Sequence, residues 1–170
     1  MKTETTRRAV MPALNDDAFR LENFLPYKLS VAANRVSRLF ARRYSEAYGL
    51  TIPEWRVLAM VGRFGTLSPS AVGEWTAMDK VKVSRAAASL VERGLLKQTQ
   101  DPKDGRGRLL RLTRKGGAVH RGVVPLACEL EEQLSGGMSR TEWASLLRAL
   151  DKLSAHVQAF AGTDHGASMD

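Results

Sequence analysis

Apolar residues return every three to four positions along most of this chain, and the repeat breaks at a few capping and glycine positions. Leu25, Leu29, Ala32, Val36, Leu39, Phe40 and Tyr44 predict a long helix over residues 24–47. Pro26 is tolerable there only in the first turn, and Gly49 ends it. A polar stripe of Ser30, Asn34 and Arg38 runs beside the apolar one. Thr51-Ile52-Pro53-Glu54 reads as a helix start, with Thr51 as cap, Pro53 in the first turn and Glu54 completing a capping box. Trp55, Leu58, Val61 and Phe64 follow, and Gly65 is the stop. Ser68 caps a shorter helix carrying Val72 and Trp75.

Asp79 caps the next helix, Lys80 to Arg93, which Gly94 ends. Val83, Ala87, Leu90 and Val91 form its inward face, and the opposite side carries Lys80, Lys82, Ser84, Arg85 and Ser89. Leu95–Gln100 and Arg108–Leu112 are short strand candidates around the turn-rich DPKDGRG. Their alternation is weak, so the hairpin rests mainly on its context. Thr113 caps a helix running to about Leu134, with Val119, Val123, Leu126, Ala127, Leu130 and Leu134 as its stripe. Pro125 lies inside it and is expected to bend it. After Gly136-Gly137, Ser139-Arg140-Thr141-Glu142 is a second capping box. Trp143, Leu146, Leu147, Leu150, Leu153, Val157 and Phe160 line the last helix.

These elements divide the chain into a flexible arm (1–20), a first long helix (21–50), a compact centre (51–116), two closing helices (117–161) and a flexible tail (162–170). The first helix and the last two are amphipathic over lengths that one small domain cannot easily bury. Pairing of two chains through those helices, giving a homodimer, is the economical solution. No internal repeat is present.

Composition sharpens the centre. Residues 80–115 hold 11 Lys/Arg and 3 Asp/Glu, which accounts for the whole chain's net charge of +8. A field so concentrated, in a chain of pI about 10.1, fits a polyanionic partner. Nucleic acid fits this localisation better than an acidic membrane surface or a merely soluble basic protein. The 170 residues, 44% hydrophobic and 26% charged, suffice for one ordinary globular domain with its own core. Cys128 is the single cysteine, so no internal disulfide forms, which suits a reducing cytoplasm. No apolar run approaches a membrane span, and the N-terminus lacks the shape of a signal peptide. His120, His156 and His165 are scattered without metal-ligand spacing. No glycine-rich phosphate loop follows a strand, and no serine has a base beside it, so neither a cofactor nor catalysis is expected.

The central segment resembles the MarR (multiple antibiotic resistance regulator) family of winged helix-turn-helix transcription regulators. The matching pieces are Leu67-Ser68-Pro69-Ser70, Asp79-Lys80 with Val83-Ser84-Arg85, Glu92-Arg93-Gly94-Leu95-Leu96, Asp101-Pro102-Lys103-Asp104-Gly105-Arg106, and Leu112-Thr113 with Gly116 beyond. Their order and spacing hold together, and the flanking helices extend the resemblance over about residues 24–160. The fold it implies is mainly α with a small β-hairpin wing, a winged helix-turn-helix flanked by long dimerisation helices. Its partner is then double-stranded DNA, bound at a pseudo-palindrome by a homodimer, with repression as the family's usual mode. Ser84 and Arg85 are the candidates for base edges; Lys80, Lys82, Ser68 and Ser70 are those for phosphates, and Ser89 shares their face. The resemblance places Arg106 in a minor groove beside Arg108, with Asp104 orienting an arginine. A nonspecific DNA binder or a winged helix used for protein contacts is the alternative.

The resemblance also implies a small aromatic or anionic effector between the dimerisation helices and the DNA-binding lobe. The stretch FLPYKLSVAANRVSRLF looks like branches that respond to aromatic acids or their CoA thioesters. Candidate pocket residues are Tyr27, Asn34, Arg35, Arg38 and Trp55. Either arginine suits a carboxylate and Trp55 suits a ring, although core packing for Trp55 and surface ion pairs for the arginines are competing readings. The peroxide-sensing branch carries a cysteine near the start of the first long helix, where this chain has none. Cys128 is expected to be a buried structural thiol.

Overall fold

The computed structural model describes residues 19–102 and 107–164, with side chains as far as residue 160. A 3-10 turn at Leu21–Asn23 precedes helix α1, Leu25–Tyr48, which closes on Gly49 in the left-handed region (φ 61°). Helix α2, Ile52–Phe64, starts at the predicted capping box. Strand β1, Thr66–Leu67, leads into α3, Pro69–Thr76, which Ser68 caps through the backbone N–H of Ala71 at 3.1 Å. Helix α4, Lys80–Glu92, follows, with Asp79 accepting from the Lys82 backbone at 2.8 Å. Strands β2, Leu96–Gln100, and β3, Arg108–Leu112, make the hairpin. Helices α5, Arg114–Ser135, and α6, Arg140–Asp164, complete the chain. The mainly helical architecture with a small wing is the one expected.

One core gathers the lobe. Val57, Leu58 and Val61 of α2, Val72 of α3, and Val83, Ala86, Ala87 and Leu90 of α4 are buried with Leu95, Leu96 and Leu110 of the hairpin. Tyr44, Leu50, Val123 and Leu130 extend it under α1 and α5. The sheet order is β1-β3-β2, antiparallel throughout, with Leu96 opposite Leu112 and Gln100 opposite Arg108. Beyond Leu96 every residue of β2 is exposed. That explains the weak alternation: the strand leaves the core after one residue and is held by its ladder with β3.

Several expectations change. The two-residue β1 was not anticipated; it is too short to carry a period and forms only against Arg111 and Leu110 of β3. Trp75 is 61% exposed, because α3 turns Val72 and Gly73 toward α4 and so points residue 75 outward. Phe64 is exposed too, and the two rings stack at 5.1 Å. Cys128 is exposed, not buried. Val123, Ala127 and Leu130 hold the inner face of α5, and residue 128 lies a further ~100° around the helix from Ala127. Helix α6 reaches Asp164, two residues beyond the point where the tail was expected to begin. Most of the expected arm, and the tail past that helix, lie outside the described residues.

Two tight points fix the lobe. The turn between α3 and α4 passes through Ala77, the only described non-glycine with positive φ (52°). At the start of α5, Gly116 is buried against the residue before β2, and a Cβ there would land on the carbonyl of Leu95. Backbone cannot yield as a side-chain tip can. Gly116→Ala is therefore expected to destabilise the fold by about 1–3 kcal/mol or more, read as a lowered urea midpoint. An unchanged midpoint would show that the close approach of α5 to Leu95 is not tight.

Candidate nucleic-acid interface

Helix α4 is built to present one face. Val83, Ala86, Ala87 and Leu90 take the inner side, which turns Val81, Ser84, Arg85 and Ala88 outward, all exposed. Val81 is 57% exposed. Short and apolar side chains with one arginine let a helix backbone approach base edges closely. Lys80 and Lys82 stand exposed at its N-terminal corner. The Lys82 ammonium is also shared with its own cap, Asp79, at 3.1 Å. The hydrogen bonds from Lys82 hold the Asp79 carboxyl below the usual carboxylate range.

The sequence-predicted residues separate into two groups. Ser70, Lys80 and Ser84 line an open hollow of about 740 Å³ between α3, α4 and β2, with Glu74, Ala88 and Gln98 also on its wall. Lys82, Arg85 and Ser89 line a narrower groove between α4 and the start of α2. Ser68 is half-buried as the α3 cap. Arg108 is exposed at the first residue of β3. Asp104 and Arg106 lie outside the described residues. Ser89 does not face outward as expected: its hydroxyl donates to Glu54 Oε1 at 2.5 Å, drawn in by the only buried charged side chain among the described residues. Val81 and Ala88, exposed on the same helix, were not among the expected residues.

Glu54 anchors a network that, through Arg93, reaches four helix ends. Its Oε2 accepts from the backbone N–H and hydroxyl of Thr51 at 2.8 and 2.9 Å. Arg93, at the end of α4, reaches Glu54 Oε1 at 3.5 Å and donates to the carbonyls of Gly49 and Tyr48, both at 3.0 Å. Lys115 of α5 donates to the Arg93 carbonyl at 3.0 Å, and Thr113 to that of Gly94 at 2.7 Å. Burial alone would push the Glu54 carboxyl up. The bonds from Ser89 and Thr51 and the charge of Arg93 outweigh it and bring the carboxyl below its usual value.

Two smaller hollows lie where α1 crosses the lobe. One, about 310 Å³, is walled by Ser37, Phe40, Tyr44, Trp55, Arg56 and Glu131. The other, about 350 Å³, is walled by Asn34, Ser37, Arg38, Ala41 and Ile52. Of the five predicted pocket residues, Asn34, Arg38 and Trp55 line these hollows; Tyr27 and Arg35 are exposed and line neither. Trp55 packs on the core between Tyr44 (5.3 Å) and His120 (6.2 Å), the competing reading for it, and also walls the cleft. The Tyr44 hydroxyl is buried and bonds to no described residue. Burial, aided by the nearby Cys128, pushes it up to about 12. Sequence reasoning overlooked Tyr44 here because its position in the α1 stripe marks it as core. Among the described residues no helix is long and apolar enough to cross a membrane, and no cluster of His, Cys, Asp and Glu is placed to hold a metal.

A helix pair with a three-residue turn, an outward second helix and an adjoining hairpin define a winged helix-turn-helix, a DNA-binding class. Comparisons with known proteins agree. The sequence model of the MarR family matches residues 48–107. Transcriptional regulator HosA of Escherichia coli O111:H- is 25% identical over 113 residues, which span 66% of this chain and 84% of HosA. The crystal structure of a probable transcriptional regulator from Pseudomonas aeruginosa is 31% identical with a TM-score of 0.71, over 79% of this chain and 99% of that one. Bordetella bronchiseptica BpsR, whose structure addresses regulation of its DNA binding by 6-hydroxynicotinic acid, is 26% identical with a TM-score of 0.65, over 75% and 98% of the respective chains. The chain belongs to the MarR family of DNA-binding transcription regulators.

The Glu54 carboxyl yields a pH test. Its folded value is lowered, so its contribution to stability is fully present above the unfolded value, about 4.3, and is lost as pH falls through the folded value. Wild type is expected to lose more stability than Glu54→Gln between pH 6 and pH 3 in chemical denaturation. Parallel losses would mean that the carboxylate is not held in its charged form.

Proposed function

We propose that this protein is a cytoplasmic, homodimeric repressor that grips a pseudo-palindromic operator and lets go when a small aromatic or anionic effector binds. The supporting observation is a pairing within one chain: α4 offers a base-sized outer face, while the apolar stripe of α6 is left uncovered. Leu146, Leu150, Val157 and Phe160 are 37–65% exposed, and no residue of α6 with a described side chain is buried. On α1, Val36 and Leu39 are likewise exposed. Two such stripes closing on a partner's would set a fixed spacing between two α4 helices, which is what half-sites one turn apart require.

In this reading α1, α5 and α6 make the dimer and residues 51–116 make the reading head. Ser84 and Arg85 contact base edges, and Val81 and Ala88 suit thymine methyls. Lys80, Lys82, Ser68 and Ser70 hold phosphates, and Arg108 and Arg106 carry the wing into a minor groove, with Asp104 orienting one of them. Ser89 leaves this set. Arg106→Ala is expected to weaken binding and to reduce the slope of log affinity against log salt by about 0.9 for each phosphate neutralisation lost. A gel-shift salt titration with an unchanged slope would remove that role. Leu150→Glu with Val157→Glu is expected to raise the dimer dissociation constant by roughly a hundredfold or more, measured by sedimentation, since two buried apolar contacts become charges. A dimer of wild-type strength would place the interface elsewhere.

The cleft between α1 and α2 suits a single-ring acid. Its two hollows share Ser37 and Ile52, and each is near the small end of ligand pockets. Trp55 offers a ring face, Arg38 and Arg56 offer cations, and the Tyr44 hydroxyl offers a buried donor. A CoA thioester would fit only with its nucleotide outside. The ligand must prefer the conformation that does not hold DNA; otherwise it shifts nothing. Titrating the protein–DNA complex with 6-hydroxynicotinic acid, phenolic acids and their thioesters is expected to release DNA with at least one set. Release should be weaker in Tyr44→Phe, and silence across all three removes the effector from this reading.

A further inference from the structure

We infer that Glu54, Ser89 and Arg93 act as positioning residues for sequence-specific DNA recognition, locking the pose of α4 to the α1–α2 corner. The inference rests on the reading above only in taking DNA binding to be sequence-specific.

The last carbonyls of α1 lack helical partners, and those of Tyr48 and Gly49 are met by the guanidinium of Arg93, a residue 45 and 44 positions away in sequence. Arg93 ends α4, so the helix that faces DNA is tied by its C-terminal end to the end of the first long helix. Glu54 supplies the second tie. Its carboxylate caps α2 through Thr51 and at the same time takes the Ser89 hydroxyl and the Arg93 guanidinium from α4. Ser89 and Arg93 lie four residues apart, one turn, so the two bonds hold one edge of α4 at two points and oppose rotation about its axis.

That rotation matters further along the helix. Arg85 sits one turn before Ser89 on the same edge, Ser84 lies a further ~100° around from Arg85, and a small roll of α4 would carry both away from base edges while leaving the N-terminal lysines near phosphate. Affinity for phosphate is tolerant of such a roll, because Lys80 and Lys82 act as flexible point charges; base readout is not. A buried carboxylate held by fixed donors is also poor value as simple glue, because its desolvation offsets most of the gain. Its use is in fixing geometry. Arginine is needed at position 93 because one planar fork must reach a carboxylate and two carbonyls together, which a lysine ammonium cannot do.

The test uses full-length protein and a duplex that the wild type enriches from a random library, with a scrambled duplex as the nonspecific probe. Ser89→Ala, Arg93→Lys and Glu54→Gln are each expected to lower the ratio of specific to nonspecific affinity about tenfold, with the scrambled-duplex affinity unchanged. In hydrogen exchange, the enriched duplex should slow the amides of Gly49 and Leu50 in the wild type and not in the variants. Ser89→Ala removes one hydroxyl and decides the matter if Glu54→Gln fails to fold. An unchanged ratio in Ser89→Ala and Arg93→Lys, or equal losses on both duplexes, overturns the positioning role and leaves only a structural one. Failure of the wild type to enrich any sequence would instead sink sequence-specific binding, and the positioning role with it.

Discussion

A carboxylate buried at the meeting of four helix ends is the constraint around which this molecule is arranged. Glu54 is 6% exposed and would be costly there without partners. It has them in the cap of its own helix and in two side chains of α4. Thr113 and Lys115 add the start of α5 through the Gly94 and Arg93 carbonyls. A net of bonds that must all be satisfied together permits one arrangement of α1, α2, α4 and α5. Apolar packing of Val57, Leu58, Val83 and Leu90 supplies the driving force but not this uniqueness, since hydrophobic contact has little direction.

Around that node the chain divides its labour by surface chemistry. The excess positive charge belongs to the segment that includes α4 and the wing, where a field is useful. Helix α6 is balanced, with three basic and three acidic residues, and with α1 it leaves apolar stripes open. The cleft under α1 lies between these two regions, one residue along α2 from the carboxylate. In the proposed reading, a ligand pressing on Trp55 would act beside the joint that holds α4.

Much of this was legible in the sequence, for local reasons. Capping boxes at Thr51 and Ser139, the caps Ser68, Asp79 and Thr113, and Gly49, Gly65 and Gly94 fix helix ends through bonds made within a few residues. What escaped depends on contacts distant in the chain. Glu54 announced its cap but not its bonds to Ser89 and Arg93, 35 and 39 residues later. Helical periodicity set Ser89 on the polar side of α4, and nothing in the sequence reveals that α2 covers that edge. Trp75 and Cys128 failed because residue type was taken as a sign of burial. The strand β1 is too short to have a pattern, and Ala77 adopts a left-handed conformation that its residue type gives no reason to expect.

In the proposed dimer, two reading heads held at fixed spacing by the terminal helices engage one duplex. Native mass spectrometry of the protein on its enriched duplex, and on a half-length duplex carrying one half-site, measures this most directly. The account predicts two chains on the full duplex, arriving together without a one-chain species, and much weaker binding to the half-site. One chain per duplex, or a number of chains that grows with DNA length regardless of sequence, would contradict it.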